Sequence, residues 1–399
     1  MNFFLKLFLP LSLLAPGVFS QDVSPAEDNI APYAYSERVF PDSLGHMRKE
    51  ELFLRKKIKR ASGNALAQSS LAGVLASQSQ LTGDLSKMDE AEKFAKRSLE
   101  NLPYYNFSAR MVLAEVAEAR HQFPEAIKIA EDVLKESKGN VSALNLLVTA
   151  KLGFGKPAEA ARDADILITL VPEMTSYTFR ALTRLAQGQN AEALSDFQEA
   201  LKRESAGEKS SSAWLRMLMG RYYFRILDLE TAKKYTDSSL KVMPDYHAAL
   251  AQKGEIAVMM NNDEEAMKLY QKAYKERQEP PYLLAMADIH ERRNEHRMAE
   301  KIRFKAEKIV RKEIETTPYG HYNELAQILI NRGNSEESAQ AVEAAQTNVT
   351  QRMNGESYFV LAQAFAFQGN IAEAKKAIDT AIATKETNFR WVQFRDNLK

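Results

Sequence analysis

Small side chains recur at regular distances along most of this chain, between longer apolar and charged residues. In six successive windows, Ala, Gly or Ser stands at a first position, at a second position 12 residues later and at a third position 7 residues after that. The first positions lie 33 to 39 residues apart. Such a period indicates an array of repeated structural units. The windows hold Ala181, Ala193 and Ala200; Gly220, Ala232 and Ser239; Gly254, Ala266 and Ala273; Ala287, Ala299 and Ala306; Ala326, Ser338 and Ala345; and Ala362, Ala374 and Ala381.

Bulky apolar residues and turn residues complete each window as a pair of helices requires. Leu283 and Met286 stand three residues apart, on one helical face, shortly before a first small position. Gly333 and Asn334 form a turn signal between two helical stretches, and Pro244 ends a second helix. Two antiparallel helices approach closely where side chains are small, and larger residues interlock on either side. The pattern therefore predicts an all-α chain.

These windows resemble tetratricopeptide repeats, whose helix pairs are about 34 residues long. Gly220 with Tyr223, followed by Ala232 and Pro244, matches the family pattern closely. The resemblance implies a right-handed α-solenoid of about nine tetratricopeptide-like helix pairs with a C-terminal capping helix. We expect the solenoid over residues 61–386.

Several positions depart from a regular array. The connection Leu81–Met88 is longer than usual for the family, and the small polar segment Ser205–Ser212 is expected to be a flexible loop. Arg180 and Lys253 occupy positions that are normally apolar in the family. The capping helix is expected over residues 387–399. Its apolar residues, three and four apart, are Trp391, Phe394 and Leu398.

The N-terminus differs from the rest of the chain. Residues 1–20 have the layout of a secretory signal peptide, with cleavage between Ser20 and Gln21. The alternative is an uncleaved membrane anchor, although the apolar stretch Leu7–Phe19 is short for a span. Prolines at intervals along residues 21–43 prevent a continuous helix there, so this stretch is predicted to be an extended or disordered linker. The mature chain is therefore expected to be exported, to a periplasm or outside the cell.

A basic amphipathic helix is predicted over residues 44–60. Leu54 and Ile58 fall on its apolar stripe, and the end of the helix is rich in Lys and Arg. Two interpretations remain open: the cations contact anionic lipid or polymer, or they form an ordinary solvated face. Its basic end consists of Arg55, Lys56, Lys57, Lys59 and Arg60.

Composition excludes several classes of protein. Lys and Arg number 54 against 53 Asp and Glu, giving a net charge of +1, and there is no cysteine. Nucleic-acid binders usually carry a basic surplus, so no nucleic-acid partner is predicted. Without cysteine there are no disulfides, thiolate metal sites or cysteine nucleophiles. The histidines are scattered, and no phosphate-binding loop, dinucleotide fingerprint or nucleophile elbow occurs. The sequence therefore predicts no enzyme, no metal site and no cofactor.

The family resemblance implies where a partner would bind. In tetratricopeptide proteins the first helix of each pair lines a concave groove that holds extended peptides or a partner's helix. An aromatic and a methionine flanked by arginines are suited to anchor a partner and pair its carboxylates. The alternative is that Trp214 and Phe224 are packing residues between repeats. The predicted groove residues are Trp214, Met217, Arg221, Phe224, Arg225, Glu255, Asp288, Asn323, Gln327 and Asn331, together with Leu182 and Leu185.

We therefore expect a non-enzymatic exported scaffold or adaptor that binds a protein or peptide in its groove. The resemblance implies a role in an envelope assembly or secretion system. A polysaccharide- or peptidoglycan-binding module of the cell envelope is the alternative, with the aromatics as stacking surfaces. Membrane contact is expected to be peripheral if it occurs.

Overall fold

The computed structural model describes residues 43–205, 209–316 and 320–398. Over these residues the chain forms twenty α-helices and no strand. The predicted signal peptide over 1–20, its cleavage point at Ser20 and Gln21, and the linker as far as residue 42 lie outside the described residues. The helices are α1 Ser43–Arg60, α2 Ala65–Thr82, α3 Leu85–Asn101, α4 Phe107–Ala119, α5 Phe123–Glu136, α6 Val141–Phe154, α7 Pro157–Leu170, α8 Met174–Leu185, α9 Asn190–Lys202, α10 Lys209–Arg225, α11 Leu229–Val242, α12 His247–Met259, α13 Asp263–Glu276, α14 Pro280–Arg292, α15 His296–Thr316, α16 Tyr322–Arg332, α17 Ser338–Gln351, α18 Gly355–Gln368, α19 Ile371–Ala383 and α20 Phe389–Asn397.

The helices from α2 to α19 form nine consecutive antiparallel pairs, each packed on the next. We call the even-numbered member of each pair, α2 to α18, its first helix and the odd-numbered member its second helix. α1 precedes the array and packs on α2, and α20 follows it and packs on α19. The predicted all-α solenoid of about nine helix pairs is confirmed.

The recurring small residues lie where the two helices of a pair meet. Ala181, Ala193 and Ala200 have no exposed surface. A Cβ added to Gly220 would stand 2.7 Å from the Thr236 hydroxyl oxygen and would clash with it. Larger side chains at these positions would force the helices apart, so the sequence period corresponds to a physical requirement for close approach.

Helices extend into both predicted irregular segments, and residues 206–208 of the second lie outside the described residues. The connection expected over Leu81–Met88 contains only Gly83 and Asp84, because α2 extends to Thr82 and α3 begins at Leu85. Gly83 takes the left-handed conformation that ends α2, with φ 74°, and the Asp84 side chain accepts a hydrogen bond from the Ser86 amide at the start of α3.

The segment expected to be a flexible loop over Ser205–Ser212 is also partly helical, since α10 begins at Lys209. A buried ion pair joins the start of α10 to the end of the preceding segment. Arg216 has no exposed surface and contacts both carboxylate oxygens of Glu204 at 2.7 and 3.0 Å. Arg216 also donates to the Ser212 hydroxyl at 2.6 Å. The sequence prediction missed this pair because a loop was expected there.

The superhelix completes one turn after six helix pairs. Turns between the helices of one pair contact connections between pairs that lie 197 to 199 residues further along the chain. Four such contacts follow in step along the array, so the second superhelical turn rests on the first. We call this set of contacts the seam: Gln80 O with Arg277 Nη1 at 2.9 Å, Gly320 O with His121 Nδ1 at 3.1 Å, Phe154 O with Met353 N at 3.1 Å, and Thr387 Oγ1 with Asn190 Nδ2 at 2.9 Å.

Candidate partner-binding groove

The first helices lie on the inner side of the curved array. First helices of successive pairs pack on one another along most of the chain, from α2 with α4 to α16 with α18. Within the described residues, no two successive second helices pack comparably. Helices on the inside of a curve are closer together than those on the outside. The predicted groove residues, all on first helices, therefore belong to the elements of the inner side.

The aromatic and methionine residues assigned to the groove are mostly interior. Met217 is 7% exposed and Phe224 is 4% exposed. Trp214 is half-buried and packs edge-to-face on Phe179, with the ring centroids 5.8 Å apart. Met217 and Phe224 are thus closed to an incoming partner in this structure, because α10 is packed on both sides and covered at its end by the C-terminal segment.

The arginines of α10 stand among carboxylates. Arg221 is 42% exposed, and its nitrogen Nη2 lies 3.9 Å from Glu255 Oε2. Arg225 pairs with Glu386, and Arg390 Nη2 lies 3.4 Å from Glu255 Oε1. Three guanidinium groups thus face two carboxylates, which leaves an excess of positive charge. Arg221, 42% exposed, is the more exposed of the two arginines on α10.

The C-terminal segment occupies this part of the groove. Residues 384–388 connect α19 to α20, and Thr387 accepts a hydrogen bond from the Asn190 side chain at 2.9 Å. The Phe389 ring packs edge-to-face on Phe224 with centroids 6.0 Å apart, and Arg390 lies over the same Phe224 ring at 5.3 Å. A stretch of chain carrying a carboxylate and, at the start of α20, an aromatic ring is therefore seated at the predicted binding residues.

A small pocket remains open beside this segment, and we call it the tail pocket. Its wall is apolar on α8 and charged on α10, a combination suited to an anchor side chain next to a carboxylate. The tail pocket is lined by Leu182, Leu185, Asn190, Leu218, Arg221, Tyr222, Arg225, Glu386 and Thr387.

α20 also packs against α18, the first helix of the last pair. Trp391 is 1% exposed and lies against Gly355, where an added Cβ would come within 2.1 Å of the indole ring. Phe394 packs edge-to-face on Phe359 with centroids 5.6 Å apart. Trp391 and Phe394 thus extend the core of the last pair.

The remaining predicted residues form a second, polar cluster. Asn331 Nδ2 lies 3.3 Å from Asp288 Oδ1, and Gln327 donates to Asn331 at 2.9 Å. Asp288 also contacts Arg303 at 3.3 Å. Its side chain is 52% exposed, so solvent reaches the carboxylate despite these contacts. Asn323 is not part of this hydrogen-bonded set, and its side-chain oxygen is buried without a hydrogen-bond partner in the structure.

Two carboxylates on α4 were not singled out from the sequence. Burial raises the pKa of Glu118 to about 7, and the nearby Glu115 carboxylate adds to the rise. Burial likewise raises the pKa of Glu115. Neither has an ion-pair partner among the described residues. Their three-residue spacing on a first helix was a visible signal, but their burial depended on the packing of neighbouring helices.

The described part of the chain offers neither a metal-binding cluster nor a membrane-spanning helix. It contains no cluster of three or more His, Asp or Glu side chains arranged to hold a metal ion. None of its helices combines the length and apolarity needed to cross a bilayer.

Comparisons with known proteins agree with the repeat pattern. The family model "Tetratricopeptide repeat" matches residues 145–209 and 323–388, one stretch in each half of the array. A search of curated proteins gave no significant match.

Solved structures with similar folds share little sequence with this chain. Human IFIT1, in a dimer with PPP-AAAA, is 14% identical, with a TM-score of 0.49 over 86% of this chain and 95% of its own. Yeast Tom70 is 16% identical, with a TM-score of 0.44 over 89% of this chain and 86% of its own. A chain of the APC/C hetero-tetramer Cut9–Hcn1 is 13% identical, with a TM-score of 0.45 over 86% of this chain. The present chain spans only 59% of the length of that chain.

Nine stacked helix pairs, alanine-sized residues at each helix contact and a family model that matches both halves of the array lead to one conclusion. Residues 145–209 and 323–388 are tetratricopeptide repeats, set in an all-α solenoid of nine similar helix pairs.

Proposed function

We propose that this protein is a non-enzymatic, exported scaffold that binds a protein or peptide partner on the inner side of its solenoid. Tetratricopeptide folds are suited to protein–protein interaction, because their stacked first helices present a long, rigid surface. Export is the expectation from the N-terminal leader, and a role in an envelope assembly or secretion system is its extension.

The observation that carries the proposal is the seating of the chain's own C-terminal segment. Glu386 pairs with Arg225, and Phe389 packs on Phe224, both on α10. This surface thus accepts a chain segment with a carboxylate three residues before an aromatic ring. A partner with similar chemistry would bind beside this segment in the tail pocket, or in place of it.

Arg221 is the residue best placed to recognise such a partner. It is more exposed than Arg225, and its carboxylate neighbour Glu255 is at 3.9 Å rather than at hydrogen-bonding distance. A partner carboxylate that approached Arg221 would form a charge-assisted hydrogen bond, while Leu182 and Leu185 would contact an apolar side chain next to it.

The alternative, a polysaccharide- or peptidoglycan-binding module, has less support. Sugars stack on exposed aromatic faces, whereas Phe224 is buried and Trp214 packs on Phe179. The predicted stacking surfaces are thus mostly used within the protein.

Site-specific crosslinking tests the proposal. A photoreactive residue replaces Leu185 in the full-length chain, in its native cells, and mass spectrometry identifies the adducts. We expect protein adducts, and we expect Arg221→Glu to reduce their yield at least about tenfold, because the reversed charge repels a partner carboxylate.

The matched control is Lys268→Glu, a charge reversal on the second helix α13 at a side chain that is 71% exposed. It should leave the adduct yield unchanged. Adducts with glycan only, or protein adducts equally insensitive to both reversals, would remove the groove assignment.

A further inference from the structure

The first helix of the chain has a well-packed inner face. Leu54 and Ile58 are 6% and 7% exposed and belong to the same core cluster as residues of α2, α3 and α4. Glu51 and Arg55 pair with each other at 2.8 Å, and Arg55 also reaches Glu90 at 2.7 Å. These contacts fix the rotation of α1, and hence which of its residues face outward.

The outward face of α1 is a stripe of cations around two large apolar side chains. The stripe residues follow the spacing i, i+3, i+4, i+7 and i+11, and all are exposed. Leu52 is 60% exposed and Phe53 is 63% exposed. The stripe consists of Lys49, Leu52, Phe53, Lys56 and Arg60.

The charge of this face is almost entirely positive. Glu50 is the only exposed carboxylate of α1, because Glu51 is turned toward α2 and accepts a hydrogen bond from Gln78. Within the described part of the chain, the exposed cations of α1 make no ion pair. These cations are Arg48, Lys49, Lys56, Lys57, Lys59 and Arg60.

We propose that this outward face of α1 binds the surface of an anionic lipid bilayer. Phosphate headgroups attract the lysines and arginines, while Leu52 and Phe53 reach the boundary of the acyl chains. The long lysine stems keep their ammonium groups at the headgroups as the apolar residues enter. A soluble polyanion satisfies the cations but leaves Leu52 and Phe53 in water, so the combination favours a bilayer.

The experiment measures binding of the full-length chain to vesicles by sedimentation. One set of vesicles contains phosphatidylcholine alone, and the other contains phosphatidylcholine mixed with the anionic lipid phosphatidylglycerol. An apolar leader would enter both kinds of vesicle, so the difference between them isolates the charge-dependent contact. We expect tighter binding to the anionic vesicles, decreasing as salt is raised.

Three variants assign the contact to α1. The triple variant Lys49→Gln, Lys56→Gln and Lys57→Gln should reduce anionic-vesicle binding about a hundredfold, since each cation near the surface contributes separately. The control is Lys268→Gln, Lys272→Gln and Lys275→Gln on α13, which removes the same charge and should change binding little. Phe53→Ser should weaken binding while leaving all cations in place.

Each result is decisive for this surface. Equal binding of the unmodified chain to both kinds of vesicle would overturn the proposal, as would equal effects of the two triple variants. If Phe53→Ser binds like the unmodified chain and heparin competes fully, the partner is an acidic polymer and the bilayer is excluded. Unchanged helical circular dichroism of the variants confirms that the exposed substitutions leave the fold intact.

Discussion

At the scale of single residues, the small positions and the charged positions follow different rules. The alanines and glycines of the repeat lie at helix contacts because only small side chains permit close approach. The cations at normally apolar positions are accommodated by pairing: Arg180 Nη2 lies 2.7 Å from Asp196 Oδ1, and Lys253 Nζ lies 2.7 Å from Asp237 Oδ1. A charge in such a position is tolerated because a neighbouring helix supplies its partner.

Glu118 gives a prediction about pH. Its pKa is about 7 in the folded protein and near 4.5 when unfolded, so the folded state binds the proton more tightly. The stability that this proton contributes is fully present below pH 4.5 and is lost as pH rises through 7. Glu118→Gln should therefore raise the free energy of unfolding by about 1–2 kcal/mol at alkaline pH and change it little in acid.

Urea unfolding of both proteins at about pH 5 and about pH 8 measures this difference. If the two pH values give the same difference between variant and unmodified chain, ionisation of Glu118 is not what the substitution relieves.

At the scale of helices, the sequence signals for starts and stops are obeyed. Asn140, Asn262 and Asn370 each accept a hydrogen bond at the N-terminus of the helix that follows, satisfying one of its free amides. Gly333 and Gly369 end first helices in the left-handed conformation, with φ 74° and 86°. These local devices explain why the helix pairs could be located from the sequence.

Helices are also joined by ion pairs, and the pair of α8 and α9 provides a prediction. Asp196 on α9 has a side chain that is 4% exposed and pairs with Arg180 and Arg184 on α8 at 2.7 and 2.6 Å. Asp196→Asn leaves two guanidinium groups without their shared carboxylate. We expect a loss of about 2–3 kcal/mol in the free energy of unfolding, measured by denaturant titration.

The control is Asp165→Asn. Asp165 is 63% exposed and lies 3.4 Å from the same Arg180, so its removal should cost less than about 1 kcal/mol. Similar losses for the two variants would mean that burial of Asp196 does not strengthen its pairing.

At the scale of the whole molecule, the seam sets the shape of the inner surface. Each of its contacts joins two turns of the superhelix, so partner access to the groove depends on how closely the turns rest on each other. Gly155 is a narrow point of this seam. Its φ is 94°, and an added Cβ would stand 2.1 Å from the Met353 carbonyl oxygen.

Gly155→Ala should therefore open the seam at this point. Gly333→Ala is a matched control, because Gly333 also has a positive φ, 74°, but has nothing within 4 Å of an added Cβ. Both variants should lose about 1–2 kcal/mol from backbone strain. Only Gly155→Ala should lose more and show a larger radius of gyration in solution X-ray scattering. Equal behaviour of the two would indicate that the turns do not touch in solution.

The groove was predictable only in part. The sequence placed Arg221, Arg225 and Glu255 near one another, and the structure brings them together around the C-terminal segment. It could not show that Met217 and Phe224 are buried, because their covering comes from the distant C-terminal segment or from a neighbouring helix. The half-buried Glu118 was missed for the same reason.

The sequence by itself determined the helix pairs, their number and their stacking, because these depend on contacts between residues within one or two repeats of each other. Small residues, helix caps and turn signals all act at that range. Only the tertiary structure decided that six pairs complete a turn, that the turns touch, and that Glu386 and Phe389 contact α10. Curvature is the sum of small angles at every interface, and no local pattern in the sequence records that sum.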